Sequence, residues 1–287
     1  MKFISLFAGI GGLDLGLERV GMECVAQVEI NEFALSILNK HWSSVPKFKD
    51  VRDVGKENLP TADLICGGFP CQDVSIAGER KGLEGKRSTL WSEFYRIVCE
   101  IRPRWVVIEN VTGLFTSDDG RFFTKILQEL SSSGYDAEWR VISCSDVGAP
   151  HIRERLFIVA YPCGIFGSQP VLSSNSEQIA EWNKREKKWG EDWQQFEVAS
   201  RLHAILRHWT EKFCQSPLVR VDDGIPDIVE RLRATGNAVS PHVAELIGRE
   251  IMKAETCLTQ RPPDVATVTA QKGVSHKNRS GKRAGVA

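Results

Sequence analysis

Lys2-Phe3-Ile4-Ser5-Leu6-Phe7-Ala8-Gly9-Ile10-Gly11-Gly12 begins as a run of strand formers and breaks into glycines. Leu13, Leu17 and Val20 follow at helical spacing, so the segment predicts a strand, a tight turn and a helix. A turn of this kind brings backbone N–H groups and a helix N-terminus against a nucleotide-like ligand. Cys24-Val25-Ala26-Gln27-Val28 predicts a second strand, and Glu29 follows it where an acid can hold ribose hydroxyls. Asp14 stands where the dinucleotide fingerprint has its third glycine, which disfavours NAD and favours another adenosine-bearing cofactor. Asp50, in Lys49-Asp50-Val51-Arg52-Asp53, reads either as a third-strand acid that meets an adenine amino group or as a solvated loop aspartate.

Three motifs further along carry chemistry. Asp63-Leu64-Ile65-Cys66 predicts a strand that runs into Gly67-Gly68-Phe69-Pro70-Cys71-Gln72. In an open α/β sheet the crevice lies beyond the carboxyl ends of the strands, so a thiol on this turn faces a ligand cleft. Glycine permits the sharp turn and proline fixes the backbone just before the sulfur. Trp105-Val106-Val107-Ile108-Glu109-Asn110-Val111 is a second strand ending in a carboxylate, where partial burial would raise the pKa enough for proton donation near neutrality. In His151-Ile152-Arg153-Glu154-Arg155-Leu156-Phe157-Ile158-Val159, strand alternation predicts Arg153 and Arg155 on one face, both reaching the same anion or base edge.

Strand and helix candidates alternate from Met1 to about Tyr161, which predicts a mainly parallel sheet flanked by helices. Beyond it the chain turns polar, then rich in tryptophan and charge around Trp182, Trp189 and Trp193. Val198, Leu202, Ile205, Leu206 and Trp209 return to helical spacing. Val243, Leu246, Ile247 and Ile251 predict a last helix that packs back on the first domain. From about Thr259 the chain carries Pro262-Pro263, few large apolar residues and a basic run, and is expected to be disordered.

Composition bounds the reading without deciding it. The 287 residues have a formal net charge of zero, so attraction to phosphate would have to come from local clusters such as 80–87 and 184–188. Eight cysteines lie at irregular intervals with no Cys-x-x-Cys pair, and there is no signal peptide or membrane-length apolar run. Reduced thiols in a cytoplasmic protein are the expectation.

In this order, Phe7-Ala8-Gly9-Ile10-Gly11-Gly12, Pro70-Cys71-Gln72, Glu109-Asn110-Val111, Arg153-Glu154-Arg155 and Gly236-Asn237-Ala238-Val239 resemble the DNA (cytosine-5-)-methyltransferase family. The resemblance implies an α/β, Rossmann-like S-adenosylmethionine-dependent methyltransferase fold with a small target recognition domain. It implies a catalytic and cofactor-binding domain over 1–162, a recognition region over 163–230, a returning segment over 231–256 and a basic tail over 257–287. Cys71 would be the nucleophile, Glu109 the proton donor, and Arg153 and Arg155 the groups that orient the base. Phe7, Gly9, Gly11, Glu29, Asp50, Pro70, Leu90 and Asn237 match positions that contact S-adenosylmethionine. Ser75, Arg80, Lys81 and Arg87, on the long polar loop after Cys71, would contact DNA, and no metal is expected. The implied substrate is double-stranded DNA with one cytosine rotated out of the stack, the protein acting as a monomer with no membrane, alone or alongside a restriction endonuclease of the same site. Methylation of tRNA cytosine on the same scaffold is the alternative, a non-catalytic nucleic-acid-binding protein a second, and an NAD-dependent dehydrogenase a distant third. Two departures accompany the match: no Arg-Glu-x-Ala-Arg-Leu-Gln-like element precedes the last motif, and His151 stands where the family commonly has glutamine.

Overall fold

The structure, a computed structural model, describes residues 1–70, 87–149, 152–166, 171–172 and 234–260, with the backbone alone at 87–89 and 260. Within these residues the expected alternation is present. The strands are β1 (Lys2–Leu6), β2 (Glu23–Val28), β3 (Lys47–Phe48), β4 (Leu64–Gly67), β5 (Trp105–Asn110), β6 (Tyr135–Ser143) and β7 (Glu154–Pro162). The helices are α1 (Gly12–Arg19), α2 (Glu32–His41), α3 (Arg87–Ile101), α4 (Arg121–Ser132) and α5 (Pro241–Gln260). One seven-stranded sheet runs in the order β3-β2-β1-β4-β5-β7-β6. Strands β3 to β5 are mutually parallel, while β7 pairs antiparallel with both β5 and β6.

Strand alternation sorts the apolar side chains onto two faces. Ile4, Leu6, Ile65, Val106, Ile108 and Ile158 pack against Trp91, Phe94, Ile97 and Val98 of α3 and Phe122, Ile126 and Leu130 of α4. Phe3, Leu64, Cys66, Trp105, Val107 and Val159 pack against Leu13 and Leu17 of α1 and Val243, Ala244, Ile247 and Ile251 of α5. Central strands buried on both faces read as continuous apolar runs, which is why β4 and β5 were visible in the sequence.

Close contact between α1 and α5 rests on glycine. A Cβ at Gly12 would lie 2.2 Å from the Val239 carbonyl oxygen, and one at Gly16 would lie 2.4 Å from both the Ala244 Cβ and the Pro241 carbonyl oxygen. These two positions supply the tight approach that the third glycine of a dinucleotide fingerprint would give. Asp14 instead points into the sheet, fully buried, accepting hydrogen bonds from Ser5 Oγ at 2.9 Å and Gln27 Nε2 at 2.7 Å. Burial raises its carboxyl pKa against those hydrogen bonds, and it ties α1 to β1 and β2.

One boundary differs from the sequence reading. Helix α5 continues through Gln260, so the returning segment does not stop at 256. The sheet is mainly parallel as expected, with β7 alone entering beside β5 from the opposite direction. The recognition region over 163–230 falls almost wholly outside the described residues, as do His151 and the tail beyond 260. Among the described residues no helix is long and apolar enough to cross a membrane.

Candidate active site

The sheet places two clusters at the carboxyl ends of its parallel strands. The first surrounds the turn after β1. Phe7, Gly9 and Gly11 have φ of 53°, 56° and 85°, so the chain passes three times through left-handed conformations before α1 begins. Gly11 is doubly constrained, since a Cβ there would also lie 2.5 Å from the Trp42 ring. The Gly9 N–H donates to Glu29 Oε2 at 2.7 Å, and the Asn31 N–H donates to Glu29 Oε1 at 2.8 Å. The carboxylate expected at the end of β2 is therefore held in place by backbone on both sides. Nothing lies within 4 Å of a Cβ built on Gly9, so the turn presents open space.

Ile30, directly after Glu29, is 64 % exposed, an unusual position for a large apolar side chain beside a buried sheet. A carboxylate for hydroxyls, a glycine turn and an apolar flank for a ring together fit an adenosine-bearing cofactor. Sequence reasoning missed Ile30, although its signal was present: an apolar residue directly after a strand-end acid. Asp50 lies beyond β3 as expected, but its carboxylate accepts the Arg52 N–H and Nε at 2.9 Å each. Those bonds hold its pKa down at about 2. Leu90 is half-buried and packs with the α3 and α4 core, whereas Asn237 is exposed on the turn that leads into α5.

The second cluster lies at the end of β5. Glu109 is 8 % exposed, and burial raises its pKa to about 7 against the opposing pull of Arg155 and then Arg153. Arg155 Nε sits 3.0 Å from Glu109 Oε1. The antiparallel register explains the meeting: Glu109 pairs with Phe157, and Arg155, two residues earlier on β7, shares that face just past the end of β5. Opposite Arg155, the turn after β4 closes on the same carboxyl group. A Cβ at Gly68 would lie 2.5 Å from Glu109 Oε2, so only glycine allows this approach. Asn110 Nδ2 donates to the Phe69 carbonyl at 3.2 Å, and the Phe69 ring is anchored against Trp91 at 5.6 Å. Glu109 and the backbone leading to Pro70, which is exposed, are thereby fixed relative to each other.

Arg153 does something other than expected. Its Nη2 donates to the Gly236 carbonyl at 2.6 Å and to the Ala238 carbonyl at 2.9 Å, while Arg155 alone forms the ion pair with Glu109. Arg153 precedes β7 and its side chain crosses to the C-terminal segment, while its charge still bears on Glu109. Cys71, Ser75, Arg80 and Lys81, and the side chain of Arg87, lie outside the described residues. Among the described cysteines, Cys24, Cys66 and Cys144 are buried, and burial pushes each thiol upward, away from thiolate.

Comparison with known proteins agrees with this arrangement. Residues 1–213 match the model of the C-5 cytosine-specific DNA methylase family. The chain is 35 % identical over 161 residues to the Type II methyltransferase M.HhaI of Haemophilus parahaemolyticus, covering 56 % of this chain and 49 % of that protein. It is 31 % identical over 236 residues to the Type II methyltransferase M.BsuFI of Bacillus subtilis, covering 80 % and 53 %. The chain thus spans about half the length of these relatives. A crystal structure described as a DNA modification methyltransferase encoded within an E. coli prophage superposes with a TM-score of 0.50 at 30 % identity, covering 56 % of this chain and 47 % of that one. The mixed α/β sheet is the Rossmann-like fold of S-adenosylmethionine-dependent methyltransferases. With the matched region extending over well more than half of its length, the chain belongs to the C-5 cytosine-specific DNA methylase family.

Proposed function

We propose that the protein transfers a methyl group to carbon 5 of cytosine in a specific double-stranded DNA sequence, using a base rotated out of the helix. One observation carries the reading: a buried carboxyl group with a pKa of about 7 is wedged between Arg155 and the glycine backbone that leads into Pro70-Cys71. Carbon 5 of cytosine is a poor nucleophile. Adding the Cys71 thiolate to carbon 6 turns the ring into an enamine, provided the charge that develops is neutralised at nitrogen 3. Glu109, protonated near neutral pH, supplies that proton, and Arg155 holds the carboxyl group in one orientation. After methyl transfer a base takes the carbon 5 proton and the Cys71 thiolate leaves carbon 6, which restores the ring.

S-adenosylmethionine fits the turn built by Gly9, Glu29 and Ile30 and would supply an electrophilic methyl group there. Phe7, Gly11, Pro70, Leu90, Asn237 and Asp50 are proposed to line the same cofactor site, with Asp50 exchanging one Arg52 contact for an adenine amino group. A cytosine stacked in a duplex is out of reach of any side chain, so Ser75, Arg80, Lys81 and Arg87 are assigned to the DNA backbone as the base is extruded. The Type II designation of the relatives supports a companion endonuclease that cuts the same sequence, and the protein is assigned to the cytoplasm with it. The match to a DNA methylase family favours DNA over tRNA as substrate.

Bisulfite sequencing of DNA from cells expressing the protein tests the proposal, with one cytosine in a fixed sequence context expected to resist conversion. Labelled methyl groups entering total tRNA but not duplex DNA would overturn it. Cys71→Ser should abolish turnover and the covalent adduct with 5-fluorocytosine DNA while cofactor binding persists.

A further inference from the structure

Arg153 and Arg155 are two residues apart, yet they serve different parts of the molecule. Arg155 reaches Glu109; Arg153 reaches two backbone carbonyls more than eighty residues away in sequence. Those carbonyls belong to Gly236 and Ala238, which flank the exposed Asn237. The next residue, Val239, sets its carbonyl oxygen so close to Gly12 that a Cβ there would lie 2.2 Å from it. The 236–239 turn is therefore held on one side by Arg153 and seated on the other against the start of α1, beside the Gly9 and Gly11 turn. A second tie lies alongside: the Cys144 N–H donates to the Arg153 carbonyl at 3.1 Å, and the Cys144 side chain hydrogen-bonds Ser240.

We infer that Arg153 is a positioning residue for the cofactor, clamping the Asn237 turn against the glycine turn, rather than a group that acts on the base. The inference rests on the proposed methyl-transfer reading and assigns Arg153 a place within it. A charged donor shared between two carbonyls is geometrically demanding, and loss of the guanidinium leaves the part-buried Ala238 carbonyl without its partner while the exposed Gly236 carbonyl turns to water. Freed from the clamp, the turn would hold Asn237 in many orientations, and a bound ligand would have to restrict it on every encounter. The cost appears in affinity for the cofactor. Arg155 keeps its pairing with Glu109, so the cost falls on the cofactor before the chemical step, although losing the Arg153 charge also lets the Glu109 pKa rise.

The test is calorimetric binding of S-adenosylhomocysteine to the full chain, with steady-state kinetics on duplex DNA. Arg153→Met should weaken binding about tenfold or more and raise the cofactor KM by a similar factor, with a smaller change in kcat. Arg153→Lys keeps one charged donor and should recover part of the loss; it also carries the test if the methionine variant does not fold. Arg155→Met should show the opposite split, a large fall in kcat with cofactor binding within about threefold of the parent. If Arg153→Lys and Arg153→Met bind as tightly as the parent while kcat collapses, the clamp is wrong and Arg153 belongs with the base. If the parent protein binds no S-adenosylhomocysteine, the methyl-transfer reading itself fails, an outcome distinct from the first.

Discussion

Arg155 meets Glu109 at 3.0 Å because the strand that carries the arginine runs antiparallel to the one that carries the glutamate. Were β7 parallel to β5, the start of β7 would lie at the far end of the sheet from Glu109. Strand direction thus creates the ion pair, and the ion pair offsets part of the rise that burial imposes on the Glu109 pKa.

Activity should fall as pH rises through about 7, as Glu109 loses the proton it must give. Replacing Arg155 with methionine removes a neighbour that lowers this pKa, so the descending limb should move to higher pH even as kcat falls. A descending limb that stays in place in the variant would contradict the assignment. The measurement is kcat against pH for parent and variant at saturating cofactor.

Stability should follow the same group. Glu109 is raised from 4.5 to about 7, so between those values the folded state holds a proton the unfolded chain has released. Its contribution is fully favourable below about pH 4.5 and is lost as pH climbs through 7, by about 3 kcal/mol at most. Thermal unfolding at pH 5, 6, 7 and 8 should show this decline, and Glu109→Gln should flatten it.

Gly68→Ala places a methyl group 2.5 Å from a Glu109 carboxyl oxygen. Either the turn or the glutamate must give way, at about 1–3 kcal/mol, and misplacing reacting groups by about 1 Å costs roughly 100-fold in rate. Single-turnover methylation should report the loss while S-adenosylhomocysteine binding stays close to the parent's.

Glu29→Ala strips the acceptor from the Gly9 and Asn31 N–H groups as well as from a ribose. Cofactor affinity should drop roughly 10- to 100-fold, with the melting temperature of the free protein changing little because the carboxylate lies at the rim. Equilibrium dialysis with labelled cofactor measures the first and a thermal melt the second; unchanged affinity would remove Glu29 from the site.

Much of this was legible in the chain. The β1 segment and its glycines, the strand ending at Glu29 and the one ending at Glu109 are local patterns, set by hydrophobic runs and by the few residues that tolerate left-handed backbone. What stayed hidden depends on pairing across the chain. Nothing in His151 to Val159 states the direction in which the strand enters the sheet, and alternation could not foresee that Arg153 also holds the Gly236 and Ala238 carbonyls. The role of Gly16 was equally invisible, because the helix that demands a bare backbone there begins at Pro241. Asp14 looked like a defect in a cofactor motif; it is a buried junction between a helix and two strands.

Among the described residues the first helix, α1, and the last, α5, share one interface, joined through Gly16 and Gly248. During synthesis the apolar side of the opening segment therefore waits, uncovered, until more than two hundred further residues have left the ribosome. Nascent chains stalled before Val243 should be ready clients for chaperones and proteases.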